Sequence, residues 1–158
     1  WFLLACAVAA GAVLIDQGSK ALALAQLSSA RMTAIPLLGD WLGLQLAFNP
    51  GTVMSLGSDS TWLLTVIATA ASIALLIAAA RTRSAGWAVA IGLVWGGAVG
   101  NLLDRLFAPP GFGRGHVTDF LAYGNWFIGN VADVVIGVGV ALGLLLYLRG
   151  PHHTRNEQ

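Results

Sequence analysis

Residues 61–80, TWLLTVIATAASIALLIAAA, carry no charged side chain and stop abruptly at Arg81 and Arg83. A helix rises about 1.5 Å per residue and the hydrocarbon layer of a bilayer is about 30 Å thick, so roughly 20 apolar residues make one crossing. A run of this kind restricts the chain to a membrane. The rest of the sequence agrees: 57% of its 158 residues are hydrophobic and 9% are charged, too apolar for a soluble domain.

Three more crossings follow from the same arithmetic. Residues 1 to about 27 form the first, 85–106 the third and 126–148 the fourth, with Trp87 and Trp126 near the starts of the last two, as suits an interface. The first is interrupted by Asp16, Gln17 and Lys20, and is too long and too charged for a cleavable signal peptide. Because the chain opens on Trp1 rather than Met, its true start is expected to be missing.

Arg81 and Arg83 lie between the second and third crossings, and Arg149 and Arg155 follow the fourth. By the positive-inside rule both regions are cytoplasmic, which brings both termini inside. Arg31 and Arg114 count the other way, but Asp40 and Asp59 share the first of those loops. Residues 28–60 are punctuated by Pro36, Gly39, Gly43, Pro50, Gly51 and Gly57 and read as short strands and turns, an amphipathic platform on the outer lipid surface. The expected fold is an all-α integral membrane protein: four transmembrane helices, and a small β-rich outer platform between helices 1 and 2. One membrane-embedded domain covers 1–158, with an outer loop at 107–125 and a cytoplasmic tail at 149–158.

The polar residues inside the crossings fall in one leaflet. Asp16 and Lys20 lie in the outer half of the first helix; Asn101, Asp104 and Arg105 close the outer end of the third. Asn130 and Asp133 come four and seven residues after Trp126, which puts Asp133 about 10 Å below the interface. Residues three or four apart share a helix face, and ionisable groups within a span normally face the bundle interior or a wet cavity. A common site near the outer face is the expectation. Bland readings stand beside it: Asp16 with Lys20 is equally a neutralising ion pair, and Asp104 with Arg105 equally a solvated helix end. Asn101 and Asn130 suit interhelical hydrogen bonding, and Gly96, Gly97 and Gly100 suit close packing.

Asp119 and Asp133 could share one proton, because two carboxylates in one site do not both ionise easily. Such a pair is the machinery of an aspartic protease, yet proton-coupled transporters and channels also place acids in helices. A protease using Lys20 to activate a nucleophile such as Ser55 is a further reading, and a non-catalytic membrane binding protein is another. A transporter predicts polar groups at several depths, whereas the inner halves of these helices nearly lack them. Cys6 is alone and sits at the opposite end of the first helix, His116 is in a loop, and His152 and His153 are in the tail. No metal or cofactor is expected. The net charge of +1 argues against a nucleic-acid partner.

Five blocks carry a resemblance to a known family: DQGSK (16–20), NPGTVMS (49–55), GGAVGNLLDR (96–105), VTDF (117–120) and NVADVVI (130–136). In their order and spacing the chain resembles bacterial lipoprotein signal peptidase, or signal peptidase II. The resemblance implies an intramembrane aspartic endopeptidase of the bacterial cytoplasmic (inner) membrane. It would remove the signal peptide of prolipoproteins by cutting before a diacylglyceryl-modified Cys. It implies Asp119 and Asp133 as the catalytic pair, with Asp16, Lys20, Asn49, Gly51, Asn101, Asp104, Arg105 and Asn130 binding substrate or inhibitor or shaping the site. Implied partners are the prolipoprotein, membrane lipids and the cyclic peptide inhibitor globomycin, met by a monomer. Met54 and Gly129 stand where the family usually has Phe, and the thirteen residues between the two acids form a short connection. These departures bear on the walls of the site rather than on its acids.

Overall fold

A computed structural model of the protein describes residues 1–27, 34–51 and 61–150. Arg31, Met54, Ser55, Asp59, His152, His153 and Arg155 lie outside the described residues. Four helices, α1 (Phe2–Gln26), α2 (Thr61–Arg81), α3 (Ala85–Phe107) and α4 (Val131–Arg149), are each long and apolar enough to cross a membrane. Four strands, β1 (Ile35–Leu38), β2 (Leu42–Asn49), β3 (Val117–Tyr123) and β4 (Phe127–Gly129), form one antiparallel sheet in the order β1-β2-β3-β4.

Helix α3 is the centre of the bundle, packing against each of the other three helices. Its small residues make this possible, since helices in lipid associate by close packing rather than by hydrophobic exclusion. Gly92, Gly96 and Gly100 recur every four residues and so line one face. A methyl group on Gly96 would lie 2.6 Å from the Ala9 carbonyl oxygen, and one on Gly92 would lie 2.8 Å from that of Ala5. One residue round the helix, a methyl on Gly97 would meet the Ala132 carbonyl at 2.7 Å. The backbones of α1 and α4 therefore approach α3 where a side chain would otherwise stand.

The sheet caps one end of this bundle, with Leu46 and Phe120 packed on Ala23 of α1. Only half of it comes from the segment between α1 and α2. Strand β3 and strand β4 come from the stretch after α3, where the sequence suggests a loop and then the start of the fourth helix. That helix begins at Val131, not at 126, because Phe127–Gly129 pairs with β3 through Tyr123↔Phe127 and Leu121↔Gly129. Trp126 consequently sits in the hairpin turn, where its N–H donates to the Tyr123 carbonyl at 3.1 Å. Asp133 is in the first helical turn, roughly 5 Å along the axis from the helix start, rather than about 10 Å below it.

Candidate active site

Asn130 caps α4. Its side-chain oxygen accepts from the Asp133 backbone N–H at 3.1 Å, and Asp133 Oδ2 accepts from the Asn130 N–H at 3.1 Å, which makes a reciprocal capping box. A carboxylate in the first turn also meets the positive end of the helix dipole. Asp133 thus has a structural reason for its place. Its other oxygen points elsewhere: Oδ1 accepts from Asn101 Nδ2 at 3.1 Å, and the residue is exposed.

Asp119 is held by the same asparagine. Asn130 Nδ2 donates to Asp119 Oδ1 at 2.6 Å and to Asn101 Oδ1 at 3.1 Å. Each acid is therefore bonded to Asn130, and Asn101 links Asn130 to Asp133 a second time. Register explains how Asp119 arrives there: it pairs with Ala47 of β2, on the strand whose far neighbour β4 leads directly into α4. Asp119 is 3% exposed. Burial pushes its carboxyl up to about 6, and the charge of Asp133 pushes the same way, against hydrogen bonds from Asn130 and Asn49 and the charge of Lys20. The Tyr123 hydroxyl is raised as well, by burial first and then by Asp133.

Behind the acids lies a buried ionic layer. Lys20 Nζ meets Asp16 Oδ2 at 2.8 Å and Asp104 Oδ2 at 2.9 Å, and donates to Asn101 Oδ1 at 3.1 Å. Three acceptors use all three ammonium protons. Asp16 Oδ1 accepts from the Ala132 N–H at 2.9 Å, satisfying an orphan donor of α4. Asp104 accepts from the Thr118 N–H at 3.0 Å and from Gln17 Nε2 at 3.1 Å. Asp104 is accordingly 7% exposed and fully engaged, so the solvated helix-end reading does not hold for it. The layer stitches α1, α3, α4 and β3 together. A lysine so occupied is a poor base for activating a serine.

Asn49, Gly51 and Arg105 form the remaining side. The Gly51 N–H donates to Asn49 Oδ1 at 2.8 Å, and Gly51 has φ 82°, a left-handed turn that suits glycine. A side chain there would press on Leu64 and on the Arg105 guanidinium. Arg105 lies within electrostatic reach of Asp119, Asp104 and Asp133, and its Nη1 is buried with no hydrogen-bond partner among the described residues. An unpaired buried donor beside two acids is a ready contact for an acceptor brought in from outside.

All ten residues singled out in the sequence thus gather at the sheet end of the bundle. Three further participants stand outside those ten. Gln17, visible inside DQGSK, donates to Asp16, to Asp104 and to the Gly100 carbonyl. Tyr123 and Phe127 stack at 4.6 Å beside Gly129; their signal, two aromatics flanking a Gly-Asn turn, was hidden by reading Trp126 as a helix start.

Residues 8–149 match the family described as signal peptidase (SPase) II. Among relatives, the chain is 43% identical over 145 residues to the lipoprotein signal peptidase of Bifidobacterium longum (strain DJO10A), covering 91% of this chain and 78% of that protein. It is 43% identical over 151 residues to that of Rhodococcus jostii (strain RHA1), covering 94% and 75%. To that of Mycobacterium avium (strain 104) it is 39% identical over 143 residues, covering 90% and 78%. A bacterial membrane enzyme solved by the in meso method shares the fold, with a TM-score of 0.76 at 23% identity over 92% of this chain and 93% of that one.

Proposed function

The chain belongs to the signal peptidase II family of bacterial membrane proteases that remove signal peptides from lipoproteins, and on that premise we propose that it cuts as an intramembrane aspartic endopeptidase through Asp119 and Asp133. The observation that carries this reading is that one residue, Asn130, bonds both carboxyls, Asp119 through its side-chain Nδ2 and Asp133 through its backbone N–H. The bond cut is the one before the diacylglyceryl-modified Cys of a prolipoprotein.

The roles follow from the two environments. Asp119, buried and raised to about 6, is the member that keeps the shared proton. Asp133, exposed and accepting from the Asn101 side chain and the Asn130 N–H at the start of α4, is assigned as the base. Asp133 takes a proton from water as the water oxygen attacks the scissile carbonyl, and Asp119 gives its proton to the carbonyl oxygen. The tetrahedral diol then collapses: the C–N bond breaks, the leaving nitrogen of Cys takes the proton held by Asp133, and Asp119 recovers its own from the hydroxyl. Arg105 offers its free Nη1 to a backbone carbonyl of the substrate, with Asn49 and Gly51 beside it. Globomycin, a cyclic peptide with carbonyls to offer, would take the same contacts.

In this reading the protein lies in the cytoplasmic (inner) membrane with both termini inside and the acids near the outer face. Asp119→Asn and Asp133→Asn, purified in detergent and given a lipid-modified prolipoprotein, should each lose cleavage while keeping the thermal stability of a folded bundle. Unchanged cleavage by either variant would sink the assignment.

A further inference from the structure

Two hairpin turns lie side by side at the far end of the sheet from α1. The β1–β2 turn carries Trp41 and the β3–β4 turn carries Trp126, and the Gly124 N–H donates to the Trp41 carbonyl at 2.9 Å, which joins the two tips. Trp41 is 78% exposed and Trp126 88%. Leu37 and Leu38 on β1 and Phe127 on β4 are exposed as well. The two indoles and Phe127 border a shallow depression of about 530 Å³. Indoles presented to water in this number need a partner, since a contiguous exposed apolar patch marks an interaction surface.

Depth identifies the partner. Helix α4, with its 19 residues, is about 28 Å long and matches the hydrocarbon thickness with little to spare. Its first turn therefore lies at the sheet-side boundary of the bilayer. A methyl group on Gly129 would sit 2.9 Å from Asp133 Oδ2, 3.4 Å from Phe127 Cε2 and 3.7 Å from Tyr123 Cε2, which ties the β3–β4 hairpin to that first turn. The tips thus stand at headgroup depth, where amphipathic rings partition. Composition agrees: neither Lys nor Arg occurs between residues 34 and 44 or between 121 and 129, and Asp40 is the one acidic residue in these stretches. A surface of this kind fits zwitterionic headgroups and needs no anionic lipid.

We propose that Trp41 and Trp126 seat the sheet in the lipid interface as a lateral anchor, separate from the four crossings. The partner is the bilayer itself rather than another protein, and the anchoring does not depend on which acids cut the substrate.

The test uses the full chain with five of its six tryptophans changed to Phe, leaving only Trp126 or only Trp41. Each variant is reconstituted into phosphatidylcholine vesicles brominated near the headgroup or near the bilayer centre. The expected result is strong fluorescence quenching by bromine near the headgroup and weak quenching by bromine at the centre. Reconstitution should also cut quenching by aqueous iodide several-fold relative to a soluble indole. Full iodide quenching with none from either brominated lipid would overturn the proposal and leave the tips to a protein partner. Equal quenching by both lipids would overturn it too, by placing the indoles in the bilayer interior.

Discussion

Besides the 3.1 Å bond to Asn101, replacing Asn130 by Ala removes two things that can be measured apart. The first is the helix cap, worth about 1 kcal/mol. The second is the 2.6 Å bond to Asp119, which favours the ionised carboxylate and so holds its pKa below where burial alone would set it. Hydrogen bonds to charged groups contribute about 1.5–3 kcal/mol, and one pKa unit corresponds to about 1.4 kcal/mol. Losing the bond should therefore raise the Asp119 pKa by about 1–2 units above about 6. In the proposed mechanism the observable is the alkaline limb of the cleavage rate against pH, where the proton carried by Asp119 is lost. Asn130→Ala should move that limb to higher pH by about 1–2 units. The assay is cleavage of a lipid-modified prolipoprotein in micelles across acid to alkaline pH, with thermal unfolding recorded on the same samples. A lowered melting temperature with an unmoved alkaline limb, or a limb moved to lower pH, would refute the reasoning.

Other outcomes follow from the same geometry. Lys20→Met leaves Asp16 and Asp104 buried without their cation and should cost about 3–5 kcal/mol, read as a large fall in melting temperature in micelles. Gly100→Val should lose both stability and cleavage, because even a methyl there would come 2.5 Å from Asp16 Oδ2 and drive Asp16 off Lys20; Gly11→Ala, with nothing nearby, is the neutral control. Asp119 has a folded pKa raised from 3.8 to about 6. Its contribution to stability is present below its unfolded pKa and is lost as pH rises through the folded one. The protein should thus lose about 1–2 kcal/mol between those values, and Asp119→Asn should abolish that slope in melting temperature against pH.

The helices were legible because a bilayer allows few solutions, and a charge-free run such as 61–80 has only one use. The polar clusters on α1 and α3 were legible for a related reason: ionisable groups in a span must face one another. What hid the second hairpin was the shortness of its strands. Residues 126–130 are apolar on average and run straight into α4, and so short a stretch has no period that separates strand from helix. Pairing between β3 and β4 decides it, and pairing is a property of the folded chain. The partners of Lys20 were half visible. Asp16 stands one helical turn away on α1, whereas Asp104 reaches Lys20 only because glycines bring α3 against α1. Asp133 was read for its chemistry alone, and the capping box shows that it also starts the helix.

Both acids belong to one uninterrupted length of chain, β3, the Gly-Asn turn, β4 and the first turn of α4, locked by ladder bonds and by the cap. Helix α2 contributes none of these groups and packs chiefly on α3. A displacement of α2 would therefore leave in place every bond that sets the spacing of the two carboxylates.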